Sequence, residues 1–245
     1  MSLIKLHLND DAGASYISRV LNIAPGNLVA YWTLNEQAGS VVTDSAHAAP
    51  SAFNGAYAGV TLNQPGIGDG SGCPAFNGTT SKINVYTAAL VEAFPGDEGS
   101  LVLWARAADA NVWTENWRSL LRLQVNTSNR IALQRNSTAN NLFMERIAGG
   151  ANQNHTITGI NVTTWMHLAI TWSRAANQVR FYRDGTQQGS TRTCPNAWAG
   201  ALDSGICVIG AETTNPINVW RGWLAHVALF NAPLAAAQVG ALATA

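Results

Sequence analysis

Gln178–Gly189 reads QVRFYRDGTQQG, and its pattern decides the fold class. Val179 and Phe181 alternate with Gln178 and Arg180, the period of two that marks a strand with one buried face. Asp184-Gly185 interrupts the run between two alternating arms, and Asp-Gly supplies the positive φ angles of a tight hairpin turn. The same period extends outward in both directions. Candidate strands are Lys82–Tyr86, Ser100–Arg106, Leu120–Val125, Arg130–Gln134, Trp165–Trp172, Gly205–Gly210 and Gly222–Phe230. They are short, and Gly, Asn, Asp and Pro separate them. Helical signals are few. Ala14–Ile23 makes a short helix stopped by Pro25-Gly26, and Pro233–Leu242 makes a terminal one with Pro at its first position. Many short strands with two short helices predict an all-β fold, a two-sheet antiparallel β-sandwich, rather than a parallel α/β sheet.

Composition narrows the functional classes. Of 245 residues 47% are hydrophobic, enough for a real core, and only 11% are charged, with formal net charge +0. Lys5 and Lys82 are the two lysines. There is no basic stripe for nucleic acid and no polybasic run for a membrane surface. The surface is therefore expected to be neutral and rich in Asn, Ser, Thr and Gln, which tolerates close packing against neighbours. The opening MSLIKLHLNDDAGAS lacks the basic and apolar regions of a secretory leader, so synthesis in a cytoplasm is expected. No apolar run approaches the length of a spanning helix. Ile4, Leu6 and Leu8 alternate with polar residues, either as an edge strand or as an arm that adds to a neighbouring subunit's sheet. Cys73, Cys194 and Cys207 are not a disulfide framework; Cys194 and Cys207 either meet across a hairpin or stay as buried thiols. The sequons at Asn77, Asn126, Asn136, Asn154 and Asn161 reflect the abundance of Asn and Thr.

Eight segments in order carry a family resemblance. They are YWTLNEQAG (31–39) with Thr43-Asp44-Ser45, AFNG (75–78), SLVLWAR (100–106), TWMHLAITW (164–172), VRFYRDG (179–185), VIGA (208–211), GWLAHVALF (222–230) and Pro233-Leu234 with its Ala-rich sequel. Together they resemble the laminin-G-like jelly-roll family of the concanavalin A-like lectin/glucanase superfamily. The resemblance implies a jelly roll over 27–245, preceded by an arm and short helix over 1–26. The lead-in from Tyr16 through Val20-Leu21 and Pro25 to Tyr31-Trp32 resembles one common in phage and bacterial proteins of this family. One departure stands out, Ala225 where the family pattern carries an acid.

Glucanases share this fold, so carboxylate pairs matter. The β-glucanase pattern E-x-D-x-x-E is absent, and the acids, among them Glu36, Asp97, Asp109, Glu115, Glu145 and Glu212, are scattered. No catalytic residues are assigned. His7, His47, His155, His167 and His226 stand singly, and His167 and His226 fall in expected strands as packed or rim residues. The superfamily often holds calcium in rim loops. Asp44, Asp69 and Asp203 are candidate ligands, and Asx turns explain each equally well. Trp32, Trp104, Trp165 and Trp172 are expected in the core. Trp113, Asn116 and Trp117 in NVWTENWRS, Trp198 in NAWAG, and Trp220 with Arg221 are loop candidates for packing, protein contact or sugar stacking.

The expectation for function is a non-catalytic virion structural protein, a capsid decoration or tail component at the virion surface. Its partners would be other virion proteins, its own copies and host surface carbohydrate, with no nucleic acid or membrane partner. The alternative is a stand-alone glycan-binding adhesin, and a remote third is a glycoside hydrolase.

Overall fold

The computed structural model describes residues 15–94 and 96–245, so the arm residues Ile4, Leu6 and Leu8 lie outside the described residues. One sheet, here sheet A, contains β1 (Leu28–Trp32), β4 (Thr61–Pro65), β5 (Gly72–Asn77), β7 (Glu98–Ala107), β12 (Met166–Ser173), β13 (Gln178–Arg183), β14 (Thr186–Arg192) and β16 (Arg221–Phe230). Sheet B contains β2 (Val41–Val42), β3 (Gly55–Ala58), β6 (Lys82–Asn84), β8 (Arg118–Asn126), β9 (Asn129–Arg135), β10 (Leu142–Ala148), β11 (Ala151–Ile157) and β15 (Val208–Ile209). The helices are α1 (Tyr16–Ile23), α2 (Ala88–Ala93) and α3 (Ala236–Leu242).

Sheet A runs β14-β13-β12-β7-β16-β5-β4, with β1 also on β16; sheet B runs β11-β10-β9-β8-β15-β6-β3-β2. The strand pairings are antiparallel throughout, so the chain forms the expected two-sheet sandwich. The hairpin read from QVRFYRDGTQQG forms, with Asp184 at φ +49° and Gly185 at +75°. A second hairpin, β10–β11, escaped the period-two reading. Its turn is Gly149-Gly150 at positive φ, but along β11 Ile157 is the one buried position, so no alternation marks it. The expected strand at Gly205–Gly210 shrinks to Val208–Ile209. Asp203 turns the chain there, its Oδ1 accepting from the Gly205 amide at 2.6 Å.

Two apolar layers result. Between the sheets, alternate residues of each strand enclose Trp32, Trp113, Trp172 and Trp220, all fully buried. The other face of sheet A carries a second layer, where Val102, Trp104, Ala169, Tyr182, Ala225 and Ala228 meet α1 and α3. Helix α1 starts at Ser15, whose hydroxyl accepts from the Ser18 amide at 3.2 Å. Tyr16 and Val20, one turn apart, both face the sheet and are buried. Burying Val20 alone contributes roughly 1.5–3 kcal/mol. Gln238 ties the helices together, accepting from the Ala235 amide and donating to the Ile23 carbonyl at 2.8 Å. Among the described residues no helix is long and apolar enough to cross a membrane.

Candidate functional site

With helices over sheet A, the outer face of sheet B is the broad surface left for a ligand. Its parity is fixed by the core: Leu121, Leu123, Ile131, Leu133 and Met144 point inward, so the residues between them point outward. Arg122 on β8, Ala132 on β9 and Glu145 on β10 lie directly opposite one another, and Gln124 pairs with Arg130 in the next row. The result is a groove of about 290 Å³ lined by Trp117, Arg122, Arg130, Gln134, Glu212 and Asn218.

Its charges are matched in pairs. Arg130 Nε donates to Glu145 Oε1 at 2.6 Å and its Nη2 to Oε2 at 3.3 Å. Arg122 Nη1 donates to Glu212 Oε1 while its Nε donates to Gln124 Oε1 at 2.8 Å. Glu145 is 1% exposed, which a lone carboxylate would not tolerate without its guanidinium partner. Burial lowers the Arg122 pKa, and Glu212 opposes that shift by favouring the charged form.

The loop after β15 closes one wall. The Glu212 amide donates to the Ile217 carbonyl at 3.0 Å, and the Ser119 amide to the Asn218 carbonyl at 2.6 Å. Asn218 sits at φ +50°, a conformation Asn adopts more readily than most residues. This turn carries its amide side chain to Glu212 Oε2. Trp117, half-buried, precedes β8 and forms the opposite wall, with Asn116 exposed beside it.

The other tryptophans of the expected set behave differently. Trp113 is not a surface platform. It is fully buried, donates from Nε1 to the Val162 carbonyl at 2.8 Å, and meets Trp220 edge-on at 5.7 Å. Its carbonyl accepts from both Nε and Nη2 of Arg135. Trp220 is equally buried, so neither ring is open to a ligand. Trp113 ends the 3-10 turn Ala110–Trp113 and Trp220 precedes β16, and both rings join the core cluster between the sheets. Arg221 is also committed, holding Asp109 at 2.6 and 3.0 Å and Glu115 at 2.6 and 2.9 Å. Those bonds raise its pKa, led by the one to Asp109. Trp198 lies half-buried against Phe94, 5.0 Å between rings, away from the groove. Arg122, Arg130, Gln134, Glu145, Glu212 and Asn218 were not anticipated. For Arg122, Arg130 and Gln134 the signal was the polar parity of LLRLQV and RIALQR on neighbouring strands; Glu145, on β10, and Glu212 and Asn218, in the loop after β15, join them only through register and loop closure.

The three candidate calcium ligands are not grouped, and each accepts hydrogen bonds or an ion pair from within the chain. Asp44 is buried and accepts from the Tyr31 and Ala46 amides, the His47 ring and the Ser51 hydroxyl. Asp203 accepts from Gly205. Asp69 approaches His226 Nε2 at 3.1 Å, and His226 Nδ1 meets the Tyr31 hydroxyl at 2.7 Å. Burial works to raise the Asp69 carboxyl, but His226 and the Ser71 amide outweigh it and hold it at about 2. Among the described residues no three His, Cys, Asp or Glu side chains are grouped to hold a metal. Cys73, Cys194 and Cys207 are buried free thiols. A larger, more open depression of about 670 Å³ lies by Asp97, Glu98, Arg174 and Cys194. Its acids bond the Trp198 and Ala175 amides and the Arg174 side chain, and it has no aromatic wall, so the smaller groove is the stronger site.

Comparisons with known proteins agree with this architecture. Domain 4 of AbnA, a GH43 extracellular arabinanase from Geobacillus stearothermophilus solved in complex with arabinotriose, superposes with TM-score 0.65 at 16% identity, covering 89% of this chain and 98% of that one. The receptor binding domain of botulinum neurotoxin mosaic serotype C/D gives TM-score 0.65 at 12% identity over 89% of this chain and 50% of its own. The botulinum neurotoxin serotype D ligand binding domain in complex with N-acetylneuraminic acid gives 0.64 at 12% identity, over 90% and 52%. The chain thus spans about half of each toxin fragment. A search of curated protein sequences finds no significant match. A laminin-G-type family model matches residues 77–240, and on that match and this sandwich the chain belongs to the concanavalin A-like lectin/glucanases superfamily.

Proposed function

We propose that the protein is a non-catalytic carbohydrate-binding module whose ligand lies in the sheet B groove against Trp117. The observation that carries this reading is a half-buried indole facing organised donors and acceptors on β8, β9 and β10. A sugar ring offers an apolar C–H face for the indole and a rim of hydroxyls for Gln134, Asn218 and the charged pairs. The likeness to domains solved with arabinotriose and N-acetylneuraminic acid supports it. Glu145 and Glu212 have their oxygens engaged by arginine and amide donors, so neither is placed to protonate a leaving group. In the test, a glycan array is probed with the intact protein, and hits are titrated against Trp117→Ala. Affinity should fall by about 30-fold, ~2 kcal/mol, with melting unchanged. A blank array overturns the reading.

A second reading, a virion structural protein docked on a lattice of other subunits or of its own copies, is supported by the 11% charge content and zero net charge. Gradient-purified particles should carry the protein in fixed stoichiometry; recovery solely as free protein argues against it.

A further inference from the structure

We propose that Glu212, backed by Glu145, is a charge gate that makes the groove select neutral glycans over anionic ones; this rests on the carbohydrate reading above. The two guanidiniums are what would attract a sialic or uronic carboxylate, because a planar fork suits a carboxylate bidentately. Both forks are occupied from within the chain. Arg130 is held by both oxygens of Glu145, and Arg122 by Glu212 and Gln124. A ligand carboxylate would have to displace Glu212 or lie beside it, and like charges are strongly disfavoured where water is scarce.

A hydroxyl meets no such conflict. Each paired guanidinium keeps N–H groups that are not used, and each carboxylate oxygen keeps a lone pair. The groove therefore offers donors and acceptors side by side with no net charge, the match for a group that both donates and accepts. Glu212 holds this position because Asn218 anchors its second oxygen and the loop amides close the turn beneath it. The gate lies on a loop, with side-chain exposure of 22%, so replacing it need not disturb the sheet.

The test is an array of matched neutral and acidic glycans, including lactose with sialyllactose and arabinotriose with trigalacturonate, read by the intact protein and by Glu212→Gln. The intact protein should bind neutral members at least 10-fold better than their acidic partners. Glu212→Gln, checked by circular dichroism, should gain at least 10-fold for acidic members by freeing Arg122. The double variant Glu212→Gln/Arg122→Gln should lose that gain. Acidic hits by the intact protein, or a folded Glu212→Gln that still rejects acids, overturn the gate and leave the carbohydrate reading standing. An array with no hits overturns both.

Discussion

Trp113 and Trp117 sit four residues apart in one loop, yet their indoles meet opposite fates. Trp113 is pinned by the Val162 carbonyl, the Trp220 ring and Arg135 beneath its own carbonyl; Trp117 faces the groove. Trp113→Ala should therefore destabilise by about 3–5 kcal/mol, because a large cavity opens among residues that cannot collapse into it. Trp117→Ala should shift stability by less than about 1 kcal/mol and act on binding instead. Urea titrations of the two variants side by side check this, and equal losses would contradict the assignment. His167 gives the residue scale a pH signature. It is fully buried, and burial pushes its pKa down to about 3. The unfolded chain takes up that proton near pH 6.5, so stability falls as pH drops from about 6.5 toward 3. Asp69 behaves in the complementary sense: held at about 2, it contributes above about pH 4, and that contribution is lost between 4 and 2. Urea midpoints from pH 7 to 2 should decline in both windows, and Asp69→Asn should flatten the lower one.

At the scale of elements, helix α1 is a lid on sheet A. Tyr16 packs 4.5 Å from the His226 ring and 6.0 Å from Trp104, and Trp104 meets His167 at 5.3 Å. Strand β16 bends here. Between Ala225 and Ala228 its register shifts, His226 takes φ +52°, and its partner changes from β5 to β1. Ala225, where the family pattern carries an acid, is fully buried in this layer, packed among apolar residues of sheet A and its helices. Tyr16→Ala should cost about 3–5 kcal/mol while leaving groove binding intact, since the groove lies on the opposite sheet. A thermal melt with a sugar titration separates the two effects; lost binding in a folded variant would contradict the division of labour between the sheets.

For the whole molecule, the three cysteines report on global packing. Burial raises all three thiols, Cys73 and Cys207 to about 12, so none is a ready nucleophile. Ellman's reagent should find no reactive thiol in the native protein and three after guanidinium unfolding. Fewer than three under denaturation would mean a disulfide that the buried free thiols argue against. Low charge also has a structural counterpart here. The 14 acidic residues balance 14 basic ones, and several are spent pairwise, as in Arg221 with Asp109 and Glu115.

Local chemistry was legible in the chain itself. Period two marked β7, β8, β9, β12, β13 and β16, Asp184-Gly185 marked its hairpin and Pro25 the end of α1, because each depends on residues close in sequence; the terminal helix starts at Ala236, after the N-cap Ala235, and not at Pro233 as expected. The short strands β2 to β5 and the polar edge strand β11 were not legible, since pairing and not pattern holds them. Trp113, Trp117, Trp198 and Trp220 were all read as loop residues open to packing, protein contact or sugar stacking; the fold buries Trp113 and Trp220 and leaves Trp117 lining the candidate groove. Amino-acid type alone does not say which indole a folded loop buries. By itself the sequence determined the sandwich, the neutral surface and the superfamily. Tertiary structure decided the groove, because Arg122, Arg130, Glu145 and Glu212 meet only through cross-strand register and loop closure, contacts that span up to 90 positions of chain.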